Sequence, residues 1–385
     1  MDNLSSVKNA EGRELLLILP SLIVGGAERV CVTLANALAA SGWRVSIVTG
    51  NGTGPLRSDI APGVLVIDLG VDRVTSMLLP LVRILRAHPH ATVLSAMTHM
   101  NVVTLLARKL SCRFKGRVAV QEVALFSSGR THGSRLRRKL VELAMKALYR
   151  FADRILVVSD LIGHELAILV PTVAKNITTL PNPVDLARVA AMANAPAPHD
   201  WLTAPRKAPV FVSVARLSRE KGVDVLVRAL AALDALDASR TEARLIIIGA
   251  GPERDRLAAL VQSLDLVKRV AFVGYSANPW AFMAHADALV LSSNAEGFGM
   301  VLVEAMSCGC QVVSTRCGSA PVDILDNGRL GELVAVNQPD DLACAMARSL
   351  DTRRPVADLR AKAEEYDAPM VTKSYAALLQ ELGGI

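Results

Sequence analysis

The run Leu15-Leu-Leu-Ile-Leu-Pro-Ser-Leu22, then Gly25-Gly26, then Val30-Cys-Val-Thr-Leu-Ala-Asn-Ala-Leu-Ala-Ala-Ser-Gly42 and finally Arg44-Val-Ser-Ile-Val-Thr-Gly50 decides the fold. A short continuous apolar run bounded by glycine has the pattern of a strand covered on both faces, and the segment after Gly26 carries helical periodicity. Strand, glycine turn, helix and second strand make a βαβ unit, which requires a parallel sheet with helices over its faces. Working outward, VLVIDLG (Val64–Gly70), ATVLSAM (Ala91–Met97), RVAVQEV (Arg117–Val123) and RILVVSD (Arg154–Asp160) continue the series. Between Pro181 and Pro209 the composition turns to proline and alanine without a sustained period. A second series then begins, with PVFVSVARL, RLIIIGAG, RVAFVGY, ALVLSS, QVVST and GELV separated by helical segments. The expected fold class is α/β, with two Rossmann-like doubly wound domains facing across a cleft. The expected boundaries are 1–185 for the first domain, 186–208 for a linker, 209–365 for the second domain, and 366–385 for a C-terminal helix returning to the first.

A length of 385 residues suits two domains, and 51% apolar with 21% charged residues argues for a globular chain. Charge is uneven. Residues 1–180 carry 22 Lys and Arg against 12 Asp and Glu, a balance of +10, and the remainder stands at −3. A basic half attracts phosphate, nucleic acid or an acidic membrane surface. With aromatic residues at 4% and no interleaving of basic and aromatic side chains, nucleic acid ranks last of the three. The opening residues lack the pattern of a signal peptide, so a cytoplasmic location is expected. No apolar run is long enough to span a bilayer; that from Val64 to Leu85 is broken by Asp68, Asp72, Arg73 and Arg83. The six cysteines show no zinc spacing and are expected to be reduced core thiols.

The most specific stretch is ALVLSSNAEGFGMVLVEAMSCG, Ala288–Gly309. A strand ending near Ser292 leads into a glycine loop bearing Glu296, and a helix opening near Gly299 carries Glu304. Ionised carboxylates accept hydrogen bonds only, which suits the hydroxyls of ribose or hexose. Between them, the amides of Phe298, Gly299, Met300 and Val301 head a helix and suit a phosphate. Arg216 and Lys221, in the loop after PVFVSVARL, supply a forked and a point cation for a diphosphate. No Asp-x-Asp occurs to hold a divalent ion, so protein cations are expected in its place and no metal or other cofactor is expected. Gly249-Ala250-Gly251 lacks the third glycine of a dinucleotide fingerprint, which argues against a dehydrogenase.

At GGAE (Gly25–Glu28), PNPVD (Pro181–Asp185), ARLSREKG (Ala215–Gly222), IIIGAGPERDRL (Ile246–Leu257), RVAFVGY (Arg269–Tyr275) and EGFGMVLVE (Glu296–Glu304), the chain resembles the family 4 glycosyltransferases of the GT-B fold. The resemblance runs over nearly the whole length. It implies a nucleoside-diphosphate sugar donor, UDP ahead of GDP, with retention at the anomeric carbon and no metal. It also implies that Arg216 and Lys221 bind the diphosphate, that Glu296 contacts the donor sugar and that Glu304 contacts the ribose. The base would lie near Gly249, Gly251, Gly274 and Tyr275, with Gly25 and Gly26 approaching the phosphates.

On the acceptor side, many members of that family carry a histidine after the strand that here reads RVAVQE, and this chain has Glu122 instead. His99, with Asn101 beside it, is the other candidate. The segment Gly129–Arg154 carries Arg130, Arg135, Arg137, Arg138, Lys139, Lys146 and Arg150, with Leu136, Leu140, Leu143, Ala144, Ala147, Leu148 and Phe151 as an apolar stripe. Two readings stand: a helix docking on an anionic membrane, or a core-packed helix with a charged outer face. The first implies peripheral membrane association and a lipid-linked acceptor. The expected function is transfer of a hexose or N-acetylhexosamine to a glycan of a surface polysaccharide or glycolipid. The alternatives are a nucleotide-sugar epimerase or a phosphorylase, or a non-catalytic sugar-nucleotide-binding subunit.

Overall fold

The computed structural model describes residues 13–23, 25–127, 135–206, 208–236 and 242–383. The polar N-terminal residues 1–12 and Arg130 lie outside them. Chain contacts divide the protein into two units, Met1–Pro183 with Ala368–Ile385, and Val184–Asp367.

The first unit is built on a seven-stranded sheet: β1 (Glu14–Ser21), β2 (Arg44–Asn51), β3 (Leu65–Asp68), β4 (Thr92–Ala96), β5 (Val118–Glu122), β6 (Arg154–Val157) and β7 (Ile177–Thr179). Its order is β3-β2-β1-β4-β5-β6-β7, with every pairing parallel. Helices α1 (Gly26–Ala40), α2 (Leu78–Ala87), α3 (Thr98–Leu110), α4 (Arg135–Leu148) and α5 (Asp160–Leu169) connect the strands. β1 is apolar from Leu15 to Leu19 because both its faces are covered, and each of those five residues is wholly buried. β7 has only three residues, Ile-Thr-Thr, too few to register as an apolar run.

The second unit holds six parallel strands: β8 (Val210–Val214), β9 (Arg244–Ile248), β10 (Val270–Gly274), β11 (Ala288–Leu291), β12 (Gln311–Thr315) and β13 (Glu332–Val334). The order is β10-β9-β8-β11-β12-β13. Its helices are α6 (Leu186–Ala193), α7 (Val223–Leu236), α8 (Arg254–Ser263), α9 (Pro279–His285), α10 (Met300–Ser307), α11 (Ser319–Ile324), α12 (Pro339–Asp351) and α13 (Val356–Glu364). A final helix, α14 (Ala368–Gly383), belongs to the first unit. There Tyr375 is wholly buried, accepts a hydrogen bond from Gln121 Nε2 at 2.8 Å, and donates one to the Pro181 carbonyl at 3.4 Å.

Residues 186–208, expected as a linker, are instead an integral part of the second unit. Asp185 caps α6 by accepting from the Arg188 amide at 2.9 Å, Val189 is buried, and the Met192 carbonyl accepts from Asn278 Nδ2 at 2.9 Å. Proline and alanine density masked a short helix whose one buried row needs only a few apolar side chains.

In both sheets the chain reverses its winding once, between β1 and β4 and between β8 and β11. Loops leaving the carboxyl ends of the two central strands diverge there, which is where open α/β sheets take ligands. Of the residues singled out from sequence, Arg216, Lys221, Glu296 and Glu304 lie on the segments that follow β8 and β11, and Gly25, Gly26 and His99 on those that follow β1 and β4, whereas Gly274 and Tyr275 follow the edge strand β10.

Candidate active site

In the second unit, β8 runs into Ala215-Arg216-Leu217 and a single 3-10 turn, Arg219–Lys221. The buried Leu217 and its amide bond to the Ala250 carbonyl, 2.9 Å, set the phase of this loop and leave Arg216 exposed. The loop is fastened to the one leaving β11. Asn294 N donates to the Glu220 carbonyl at 2.8 Å, and Ser292 Oγ to the Lys221 carbonyl at 3.0 Å. Gly222 turns the chain at φ +56, and a Cβ there would lie 2.2 Å from the Ser292 carbonyl oxygen. Gly222→Ala is therefore expected to cost about 1–3 kcal/mol, checked by denaturant unfolding; an unchanged midpoint would show that the two loops are not tightly fastened.

That fastening brings Lys221 against Glu296. The Nζ donates to Glu296 Oε1 in an ion pair whose side chains are 13% and 9% exposed. Ser293 Oγ donates to the same oxygen at 2.6 Å, and the Glu296 amide is held by the Cys317 carbonyl at 2.9 Å. The carboxylate is thus oriented before any ligand arrives. Beside it, burial and the Glu296 charge push the Cys317 thiol up to about 12, which makes it a poor nucleophile.

Gly299 precedes α10 at φ +90; its carbonyl accepts from the Leu302 amide at 2.9 Å, and the amides of Met300 and Val301 head the helix. Phe298 is buried edge-on to Tyr366, ring centroids 5.6 Å apart. Met300, Val301 and Glu304 lie half-buried on α10. Near β9, a Cβ at Gly249 would meet the Ala215 carbonyl at 1.9 Å, and one at Gly251 the Leu217 carbonyl at 2.3 Å. These two glycines are required by loop packing whether or not a base binds beside them. Gly274 ends β10, where its carbonyl accepts from the Gly249 amide at 2.7 Å, and Tyr275 projects beyond it, 58% exposed. Two cations, two carboxylates and a helix N-terminus at one winding reversal can bind a diphosphate and grip hydroxyls.

In the first unit, Gly25 and Gly26 open α1. A Cβ on Gly25 would fall 2.1 Å from Glu28 Oε2, so the Glu28 side chain folds back over the helix start. Burial raises the pKa of this carboxyl, and its own amide partly offsets that. His99 is half-buried in the first turn of α3, which follows Met97 at φ +77.

Glu122 and Asn101, read from sequence as able to meet an acceptor, are core residues instead. Glu122 is 4% exposed and Asn101 is fully buried. The Glu122 carboxyl accepts from Thr98 Oγ1 at 2.6 Å, from Asn101 Nδ2 at 2.8 Å and from the buried Tyr149 hydroxyl. A carboxyl in an apolar sheet must find donors, and here three converge on it, closing it to a substrate. Burial is the largest influence on this group and raises its pKa. Sequence reasoning missed Thr98 and Tyr149; an acidic side chain ending a buried strand was the signal that donors had to lie nearby.

Among the described residues no three His, Cys, Asp or Glu side chains gather as metal ligands would, and no helix is long and apolar enough to cross a membrane.

Two doubly wound α/β units, one bearing a diphosphate-competent cluster at its winding reversal, define the class. The sequence model described as Glycosyltransferase Family 4 matches residues 24–188, and that described as Glycosyl transferases group 1 matches residues 199–367. The chain belongs to this family of glycosyltransferases. It is 33% identical over 132 residues, 34% of each chain, to the N-acetylgalactosamine-N,N'-diacetylbacillosaminyl-diphospho-undecaprenol 4-alpha-N-acetylgalactosaminyltransferase of Campylobacter jejuni. To D-inositol 3-phosphate glycosyltransferase 2 of Catenulispora acidiphila it is 33% identical over 226 residues, covering 56% of this chain and 52% of that one. The chain thus spans about half or less of the length of these curated relatives. Anabaena HepE, solved with UDP and glucose, shares the fold at a TM-score of 0.77 and 19% identity, over 96% of this chain and 100% of that one.

Proposed function

We propose that the chain is a retaining, metal-independent glycosyltransferase that moves a hexose or N-acetylhexosamine from a nucleoside-diphosphate sugar to a lipid-linked glycan acceptor in surface polysaccharide or glycolipid biosynthesis. The observation that carries this reading is the buried, preoriented Lys221–Glu296 pair beside the N-terminus of α10 and the loop of Arg216. Arg216, Lys221 and the amides from Phe298 to Val301 stabilise negative charge as it builds on the departing diphosphate. Glu296 and Glu304 accept hydrogen bonds from the sugar and the ribose. The acceptor hydroxyl attacks the anomeric carbon from the face the diphosphate leaves, which retains configuration without a covalent nucleophile. UDP is the favoured nucleotide, supported by the UDP held by HepE, and a polyprenyl-diphosphate acceptor by the name of the Campylobacter relative.

The test is release of nucleoside diphosphate from a panel of UDP- and GDP-sugars with membrane lipid extract, in EDTA, alongside Glu296→Ala. Release that requires lipid, survives EDTA and disappears in the variant is expected. Turnover of the sugar nucleotide without any acceptor would replace this reading with an epimerase, and donor binding with no release from any donor would replace it with a non-catalytic binding subunit.

A further inference from the structure

Helix α4 buries one side and exposes leucines on the opposite one. Its inner side carries Met145, and Tyr149 follows in the 3-10 turn Tyr149–Phe151 just after the helix, both buried. Arg138 shares that side, with its guanidinium 5.3 Å above the Phe126 ring. Of the stripe expected from sequence, Ala144, Leu148 and Phe151 are half-buried, and the remaining four residues do not lie against this core. Leu136, Leu140 and Leu143 are 69%, 59% and 65% exposed, and Ala147 continues their row. At 100° per residue these four positions fall within one narrow sector, a strip of about 16 Å along the axis. The helix does pack on the core through Met145, but a merely core-packed helix would not turn these three leucines to its outer face, so their exposure favours the docking reading.

The flanks of the strip are basic. Lys139, Lys146 and Arg150 run along one edge and Arg137 lies toward the other, all exposed. The one acidic residue between Arg135 and Arg150, Glu142, is neutralised by Lys146 at 2.7 Å. Protein interfaces enrich aromatic residues and deplete lysine, whereas this face has two lysines, no aromatic side chain and a leucine ridge. Leucine below and ammonium or guanidinium at the rim is the arrangement that lies in a bilayer interface.

We propose that the outer face of α4 is a docking surface for an anionic lipid bilayer, with Leu136, Leu140 and Leu143 entering the acyl boundary and Lys139, Lys146 and Arg150 meeting the phosphate headgroups. This inference stands apart from the catalytic reading, since binding to lipid is measured without donor or turnover.

The experiment is co-sedimentation of the purified chain with vesicles of phosphatidylcholine alone and of phosphatidylcholine mixed with phosphatidylglycerol. Binding to the mixed vesicles, weakened by salt, is expected. The triple variant Leu136→Ser, Leu140→Ser, Leu143→Ser is expected to lose at least about tenfold in partitioning, and Lys139→Glu with Lys146→Glu about tenfold or more at low salt. Because all five side chains are exposed, unfolding midpoints should not move, and a retained midpoint separates lost docking from lost folding. Equal binding by the triple variant, or no binding of the parent chain to the mixed vesicles, overturns the proposal. So does a dimer of the parent chain that the triple variant dissolves, which would assign the face to a second copy.

Discussion

Lys221→Ala is expected to lower kcat by about 10²–10³ with a much smaller change in KM for the donor. On the proposed reading the ammonium faces the leaving diphosphate, where charge develops, so its contribution would be larger in the transition state than in the bound donor. Its partner complicates the measurement. Lys221 and Glu296 are nearly buried together, and removing either leaves an uncompensated charge, at a cost of about 3–5 kcal/mol in folding. The double variant Lys221→Met, Glu296→Leu removes both charges and is expected to regain much of that stability while staying inactive. Unfolding midpoints and single-turnover rates on the two singles and the double separate the effects. If Lys221→Ala turns over within tenfold of the parent chain, the assignment of Lys221 to the leaving diphosphate is wrong.

The second large effect is structural and lies at Glu122. Glu122→Ala strands the Thr98 and Tyr149 hydroxyls and the Asn101 amide in the core, and is expected to cost about 3 kcal/mol or more. Glu122→Gln keeps an acceptor for Tyr149 and Asn101 and lets Thr98 reverse its hydroxyl, so most of the stability should return. The pH dependence has an unusual sign for a carboxylate. Burial holds the Glu122 carboxyl above its ordinary value of 4.5, so the folded chain binds this proton more tightly than the unfolded chain does. The contribution is complete below that ordinary value and is lost as pH rises through the folded one. Glu28 acts in the same direction. The repulsion from Glu165 also favours the protonated form of Glu122, while Thr98, Tyr149 and Asn101 oppose burial by bonding the ionised form. The stability difference between the parent chain and Glu122→Gln, measured by denaturant unfolding across pH, should therefore move against the parent as pH rises from the acid side. A difference flat with pH would show that Glu122 titrates alike in both states.

Most of the architecture was legible in the sequence because buried parallel strands are continuous apolar runs. β1, β9 and β11 carried that mark plainly, β12 and β13 are broken by Gln311, Ser314 and Glu332, and β7 is too short to show it; the order of glycine turns and helical periods still indicated the alternation of strand and helix. Residue types also pointed to the cluster proposed to hold the diphosphate, since Arg216, Lys221, Glu296 and the glycine-headed α10 lie on segments whose loops meet at the carboxyl ends of β8 and β11. Tertiary structure alone decided what each polar or apolar side chain faces, because that depends on contacts between residues far apart in the chain. Glu122 and Asn101 pass from candidate ligand residues to a closed core network only when Tyr149, 27 positions on from Glu122, is brought to the same carboxyl. Residues 186–208 become part of the second unit through contacts as distant as Asn278. The leucines of α4 point outward because Met145 and the following Tyr149 take the inward side, a choice of face that periodicity leaves open and packing settles.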